Sequence, residues 1–360
     1  MSSIAQLDST DTDHPGYGAD TWTGPVFVVG MWRSGTSLLY SLLNQHSEVA
    51  LMYEGDLAVL EPYFWIRRKK KDWLAKWELW NKALSRHRIE SQCIPGGKYD
   101  LRSAIETAYI EYARQKKGAI IWGCKSPNYC NSLSRLARLF PHSRFIIIWR
   151  DLRGICRSVD QAAKTSSFFQ RRGMMLRTIL GYRRLKAECD RLIAHGANVH
   201  QLYFEDLVQS PDQTMMRICA FLRIPFEPRM TSLEEADRSA IEDFRHHALV
   251  KGRQIRTPSH NPDSLSVRLR ARIEGYIALW REQSNNQWPR FPKTLNAMPK
   301  LPAWERILDR LLFLFLRAWD LAVLVSYSYA PLWIWSGYRR RKYKRRRALQ
   351  QRVEQTEAGT

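Results

Sequence analysis

A buried-strand pattern that runs straight into a glycine-punctuated loop constrains this chain more than any other feature. Residues 25–30 (PVFVVG) are a continuous apolar run, and residues 30–37 (GMWRSGTS) follow without a break. Strand, loop and helix N-terminus in that order make a phosphate cradle. Backbone N–H groups of the turn converge on one spot, where the helix dipole favours an anion. Gly35 permits close approach, and Ser34, Thr36 and Ser37 offer hydroxyl donors. The spacing G-x-x-x-x-G-T-S is that of a P-loop with Thr36 in place of the lysine. A nucleoside triphosphatase would lack the cation that neutralises its outer phosphates. Arg33, inside the loop, supplies a cation instead. An ordinary glycine turn between strand and helix is the alternative reading.

Further apolar runs occur at residues 119–123 (AIIWG), Arg144–Trp149 (RFIIIW) and 199–204 (VHQLYF), with a weak one near 249–255 and a short strand at 49–52. Helical patterns fall between them at 36–45, 132–140, 152–163, 174–195 and Pro211–Leu222. Uninterrupted apolar strands alternating with helices imply an α/β fold, a P-loop-like core in which helices flank a central parallel sheet. Ligands then bind at the carboxyl ends of the strands. Residues 1–22 read as a disordered leader, 23–295 as the catalytic domain and 296–360 as a C-terminal apolar and basic helical tail. Residues 61–118 form a basic, Trp-rich insertion of helical character within that domain; Trp73, Trp77 and Trp80 stand at the spacing of a packed helix face. Six cysteines without a C-x-x-C pair suit free thiols better than zinc or disulfides.

A second constellation follows the strongest strand. Arg150 leaves the strand end and Ser158 stands eight residues on, two turns along the next helix, so both can face one phosphate. The competing reading makes Asp151 a helix N-cap and Arg150 a surface ion pair. Two phosphate sites at neighbouring strand ends describe a nucleotide phosphorylated at both its 5′ and 3′ positions.

These motifs resemble those of the sulfotransferases that use 3′-phosphoadenosine-5′-phosphosulfate (PAPS). Arg33-Ser34-Gly35-Thr36-Ser37 is similar to their 5′-phosphosulfate loop, and Arg150-Asp151 with Ser158 to their 3′-phosphate motif. Residues 202–207 (LYFEDL), followed by Pro211 and residues 221–225 (FLRIP), resemble a third family stretch, with Arg223 replacing a glycine. Within the superfamily the similarity is greatest to the tyrosylprotein sulfotransferase type. The resemblance implies that Glu54, in M-Y-E-G, is the catalytic carboxylate, and that Lys125, in C-K-S-P, is the lysine of the family's K-D-P motif. Tyr53 replaces the first glutamate of that pattern and Ser126 replaces the aspartate.

The implied chemistry is sulfuryl transfer from PAPS to a hydroxyl acceptor. A carboxylate within reach of the acceptor takes its proton. Arg33, Lys125 and the loop amides stabilise the charge that develops on the transferring group, so the reaction calls for no metal. His46 is a rival base, or caps the first helix. Tyr203 contacts the nucleotide or packs in the core. Lys251, Arg253 and Arg256 close over the 3′-phosphate or form a solvated loop.

Charge distribution separates the anionic partners. The chain carries 57 basic and 35 acidic residues, a net charge of +22. About half of the excess sits in residues 67–71 (RRKKK) and in the tail, where 339–347 (RRRKYKRRR) holds eight basic residues in nine. Such clustering excludes a nucleic-acid face running over the whole fold. The apolar stretch 311–335 is long enough to span a bilayer but is interrupted by Arg317 and Asp320, which can pair on one helix face, and by Pro331. A spanning helix would set the basic cluster in the cytoplasm and the catalytic domain outside, away from PAPS. A monotopic tail on anionic lipid avoids that conflict; packing of the segment on the domain is the alternative. The expectation is a bacterial, PAPS-dependent enzyme on the cytoplasmic membrane face, its acceptor a lipid or glycolipid hydroxyl. A P-loop kinase and a non-catalytic basic membrane or nucleotide binder are the alternatives.

Overall fold

Continuous apolar runs become five parallel strands: β1 (Val26–Gly30), β2 (Val49–Tyr53), β3 (Ile121–Lys125), β4 (Arg144–Trp149) and β5 (Asn198–Tyr203). This computed structural model describes residues 24–60, 80, 84, 87, 89, 101–117, 119–237, 241, 252–253, 255–256, 265–288, 290 and 301–329. The strand order is β2-β3-β1-β4-β5. Register brings the carboxyl ends level: Gly30 lies beside Ile148, Tyr53 beside Lys125, and Trp149 beside Tyr203.

Nine helices are described. They are α1 (Thr36–Leu43), α2 (Leu101–Lys117), α3 (Leu133–Leu139), α4 (Leu152–Thr165), α5 (Met174–Ala194), α6 (Phe204–Gln209), α7 (Pro211–Leu222), α8 (Val267–Gln283) and α9 (Ala303–Tyr329). Alternate residues of β1 and β4 bury against opposite faces. Val26, Val28, Ile146 and Ile148 pack with residues of α1 and α7, including Leu38, Leu42 and Ile218. Phe27, Val29, Phe145 and Ile147 pack with residues of α2, α4 and α5, including Ala108, Ile155 and Ile179. Both faces of the sheet are therefore dry, which is why these strands read as unbroken apolar runs rather than alternating ones.

The chain leaves β1 through α1 toward β2, and leaves β4 through α4 and α5 toward β5 on the other side. Connections that diverge from two adjacent strands open a crevice above their carboxyl ends. The loop after β1 lies there.

Differences from the expected elements are local. The strand expected at 119–123 runs two residues later, because Ile120 is exposed outside the sheet and pairing with β2 begins at Ile121. That shift makes Lys125 the last residue of β3. The expected 199–204 strand ends at Tyr203, and Phe204 opens α6. The weak strand near 249–255 falls mostly outside the described residues, as do the 67–71 run, Trp65, Trp73, Trp77, Lys251 and the basic cluster 339–347. Five of the six cysteines are described, and all five are free and buried. α9 begins at Ala303, well before the apolar stretch expected from 311. Among the described residues no helix is long and apolar enough to cross a membrane. Arg317 and Asp320 do not form the pair their spacing allows: α9 packs beside α5, and Asp320 binds Arg177 there.

Candidate active site

The loop after β1 turns sharply through two residues with left-handed backbone, Arg33 (φ 69°) and Gly35 (φ 99°). A Cβ at Gly35 would come within 2.3 Å of the Phe204 ring, and one at Gly30 within 2.7 Å of the Ile148 carbonyl oxygen. Only glycine lets the loop close this tightly over β4 and α6. Thr36 and Ser37 form the first turn of α1 and are buried.

The second motif meets this loop directly. Arg33 Nε donates to Ser158 Oγ at 2.9 Å, and Arg150 Nη1 donates to the Arg33 carbonyl oxygen at 2.9 Å. The Arg150 guanidinium lies 4.3 Å from the centre of the Phe204 ring, and its carbonyl accepts from the Tyr182 hydroxyl at 3.1 Å. The competing reading of this segment holds at Asp151 and fails at Arg150. Asp151 does cap α4, accepting from the Arg153 N–H at 3.0 Å, while Arg150 is buried in the loop's wall rather than paired at the surface. Burial pulls the Arg33 and Arg150 guanidinium groups down to about 10; charge repulsion by Arg150 adds to the effect at Arg33. An anion held between these two mutually repelling cations would relieve that repulsion.

Across the loop stands the second half of the site. Glu54 follows β2 in a left-handed conformation (φ 49°), its N–H bonded to the Lys125 carbonyl at 2.7 Å. This turn points the side chain back over β3, where Lys125 Nζ donates to Glu54 Oε1 at 3.0 Å. Lys125 also donates to Ser37 Oγ at 3.2 Å and lies 4.0 Å from the centre of the Tyr53 ring. Ser37 and the Tyr53 hydroxyl are 2.9 Å apart. Burial alone would pull the lysine down, but Glu54 and Tyr53 outweigh it and hold the ammonium above its usual range. Lys125 has 1% of its side chain exposed and Glu54 26%, so the carboxylate is the member of the pair that meets solvent.

Three residues not singled out from sequence complete the arrangement. Asp56, also left-handed (φ 50°), accepts from Ser126 Oγ and, at 2.7 Å, from Asn128 Nδ2. Asn128 Oδ1 accepts from Trp32 Nε1 at 3.4 Å. Burial raises the Asp56 carboxyl despite those donors. The serine that replaces the family aspartate thus finds a carboxylate from the β2 turn. Glu205 accepts the Asp151 N–H at 3.0 Å and ties the end of β5 to that of β4.

The other candidates divide. Tyr203 is half-buried at the end of β5, its ring centre 5.3 Å from the Arg290 guanidinium. His46 is buried, accepts the Glu48 N–H at Nδ1 (3.0 Å) and therefore donates from Nε2 to the Pro225 carbonyl (2.8 Å). Both ring nitrogens are occupied in structure, but by Glu48 and Pro225 rather than by the end carbonyls of α1, so the ring does not cap that helix. Arg253 and Arg256 are exposed.

The arrangement fits a phosphorylated nucleotide. Ser34 Oγ is buried without a hydrogen-bond partner, a polar atom left over within the loop. Its chain neighbours are Arg33, which meets Ser158 through its guanidinium and Arg150 through its carbonyl, and the first turn of α1. A buried polar group is normally satisfied, and an anion in the cradle would satisfy this one.

Comparison with known proteins covers the segment that carries the motifs. The family model described as "Sulfotransferase family" matches residues 25–228, from β1 to just beyond α7. A putative protein-tyrosine sulfotransferase of Caenorhabditis briggsae is 25% identical over 217 residues, covering 57% of this chain and 67% of that protein. Protein-tyrosine sulfotransferase A of Caenorhabditis elegans is 26% identical over 241 residues, covering 64% of this chain and 57% of that protein. The matches thus span between about half and two thirds of the relatives' length. Among solved structures, the sulfotransferase domain of the curacin biosynthetic pathway covers 74% of this chain and 99% of its own, with 17% identity and a TM-score of 0.47. The chain belongs to the sulfotransferase family.

Proposed function

We propose that this chain transfers a sulfuryl group from PAPS to a hydroxyl acceptor, with Glu54 as general base. The observation that carries the proposal is the junction of two half-sites at the strand ends. Arg33, Arg150 and Ser158 are linked on one side of the loop and Lys125 and Glu54 on the other, where Lys125 also binds Ser37, four residues along the chain from Arg33. PAPS supplies the sulfuryl group and a phosphate leaving group. Loop residues Arg33 to Ser37 hold the 5′ end, Arg150 and Ser158 the 3′-phosphate, and Tyr203 flanks the nucleotide. Lys125 and Arg33 offset the negative charge of the transition state, where buried donors count for more than in water. Glu54 Oε accepts the acceptor's proton, and a base in such a position contributes about 10²–10⁴-fold.

For the acceptor we favour a lipid or glycolipid hydroxyl, with the domain peripheral on the cytoplasmic membrane face. The exposed apolar residues of α9 and the basic cluster after it support that placement. A tyrosine phenol is the second reading, supported by relatives named for protein-tyrosine sulfotransfer. Sulfur-labelled PAPS incubated with a lipid extract and with acidic tyrosyl peptides separates the two. Label in lipid, lost in Glu54→Gln, supports the first; label only in peptide supports the second; magnesium-dependent phosphoryl transfer from ATP instead would contradict both.

A further inference from the structure

α9 is amphipathic in the opposite sense to an ordinary surface helix. Its polar side faces the protein. Asp309 is buried and accepts from Arg272 Nε at 2.9 Å, Arg272 Nη2 at 2.5 Å and the Tyr276 hydroxyl at 3.0 Å, all from α8. One turn on, Phe313 is packed against the core and Leu316 is buried. A turn further, Asp320 pairs with Arg177 of α5, whose Nη2 also donates to the Leu316 carbonyl at 3.2 Å. Positions 309, 313, 316 and 320 lie on one helix face. The opposite face carries Trp304, Ile307, Leu308, Leu311, Phe315 and Trp319, each 55–62% exposed. A soluble helix buries such a stripe and wets its charges; a continuous exposed apolar strip marks a surface that something covers.

We infer that this outward face of α9 is a lipid-binding face, and that the Asp309 and Asp320 ion pairs fix it so that the domain sits in one orientation on an anionic bilayer. The inference rests on the membrane placement proposed above, and goes further by assigning the contact to named residues. Charge decides between lipid and a second copy. The chain after α9 carries eight basic residues within 339–347, and two copies at +22 each repel one another. The same cations attract anionic headgroups. Trp304 and Trp319 sit toward the two ends of the stripe, with the amphipathic rings that favour a headgroup boundary. Arg310 is exposed beside the stripe, and none of its six residues is acidic.

The test is flotation of the full chain with phosphatidylcholine vesicles, with and without phosphatidylglycerol. Wild type should float with the anionic vesicles, and raised salt should weaken binding. Leu311→Glu and Phe315→Glu should each lower the bound fraction by about tenfold or more, with unchanged circular dichroism and thermal midpoint, since both side chains are exposed. If wild type floats and both variants float equally well, membrane placement stands but α9 is not the contact. If wild type stays in solution with anionic vesicles, placement and inference both fail. A dimer by sedimentation velocity, dissociated by the same variants, would assign the face to self-association and overturn the lipid reading.

Discussion

Lys125 Nζ sits 3.0 Å from Glu54 Oε1 with the Tyr53 ring 4.0 Å from the ammonium, so the charged pair spans the carboxyl ends of β3 and β2. The pair has a buried member and a partly exposed member; in the proposed reaction the lysine supplies a fixed charge and the carboxylate meets the acceptor.

Glu54→Gln keeps an oxygen for the lysine but removes the base. Turnover should fall by about 10²–10⁴-fold, while affinity for 3′-phosphoadenosine-5′-phosphate changes little. Titration calorimetry alongside the transfer assay checks both halves.

Lys125→Met removes the cation from a buried position, and with it the donor to Ser37 Oγ and the charge over the Tyr53 ring. A loss of about 10²–10³-fold in turnover is expected, with a lower thermal midpoint. Lys125→Arg should not restore activity, because a planar fork does not fit the space of a point charge over Tyr53.

pH dependence follows from the same pair. A general base works only when deprotonated, so kcat/KM should fall toward acid as Glu54 gains its proton, and this limb should vanish in Glu54→Gln. Lys125 is held above its usual range. It keeps its charge as pH rises, so no alkaline loss traceable to it is expected below about pH 10. A pH profile of both proteins is the measurement.

On the nucleotide side, Ser158→Ala removes the acceptor for Arg33 and Arg150→Met removes a buried guanidinium from the loop wall. Each should weaken binding of the bisphosphorylated nucleotide by about tenfold to a hundredfold, as loss of a charge-assisted hydrogen bond does. Affinity for adenosine 5′-monophosphate should change less, since it has no 3′-phosphate. Parallel titrations decide this.

The strand, tight turn and helix start at β1 and α1 were legible because their signal is local: strand, glycines, hydroxyls and helix start lie within thirteen consecutive residues, 25–37. Buried parallel strands were legible for a related reason, since apolar runs report a sheet covered on both faces. The partners of the site were less so. Asp56 meets Ser126 across 70 residues, and nothing near Glu54 announces that the serine of K-S-P recovers a carboxylate there. The resemblance pointed to Glu54 and Lys125, but their salt bridge depends on two left-handed turns and on β3 ending two residues later than expected. The apolar period of the tail was visible; which side faces the domain was not, because it is decided by Arg272 and Arg177 on other helices.

The most direct test of the central claim is thermal unfolding with 3′-phosphoadenosine-5′-phosphate set against ATP. Ligand at a hundred times its dissociation constant adds about 2.7 kcal/mol to the folded state, or roughly 5 °C in a domain of this size. The bisphosphorylated nucleotide should give that shift, Arg150→Met should lose most of it, and ATP should give little. An equal or larger shift with magnesium and ATP, insensitive to Arg150, would contradict the assignment of the site.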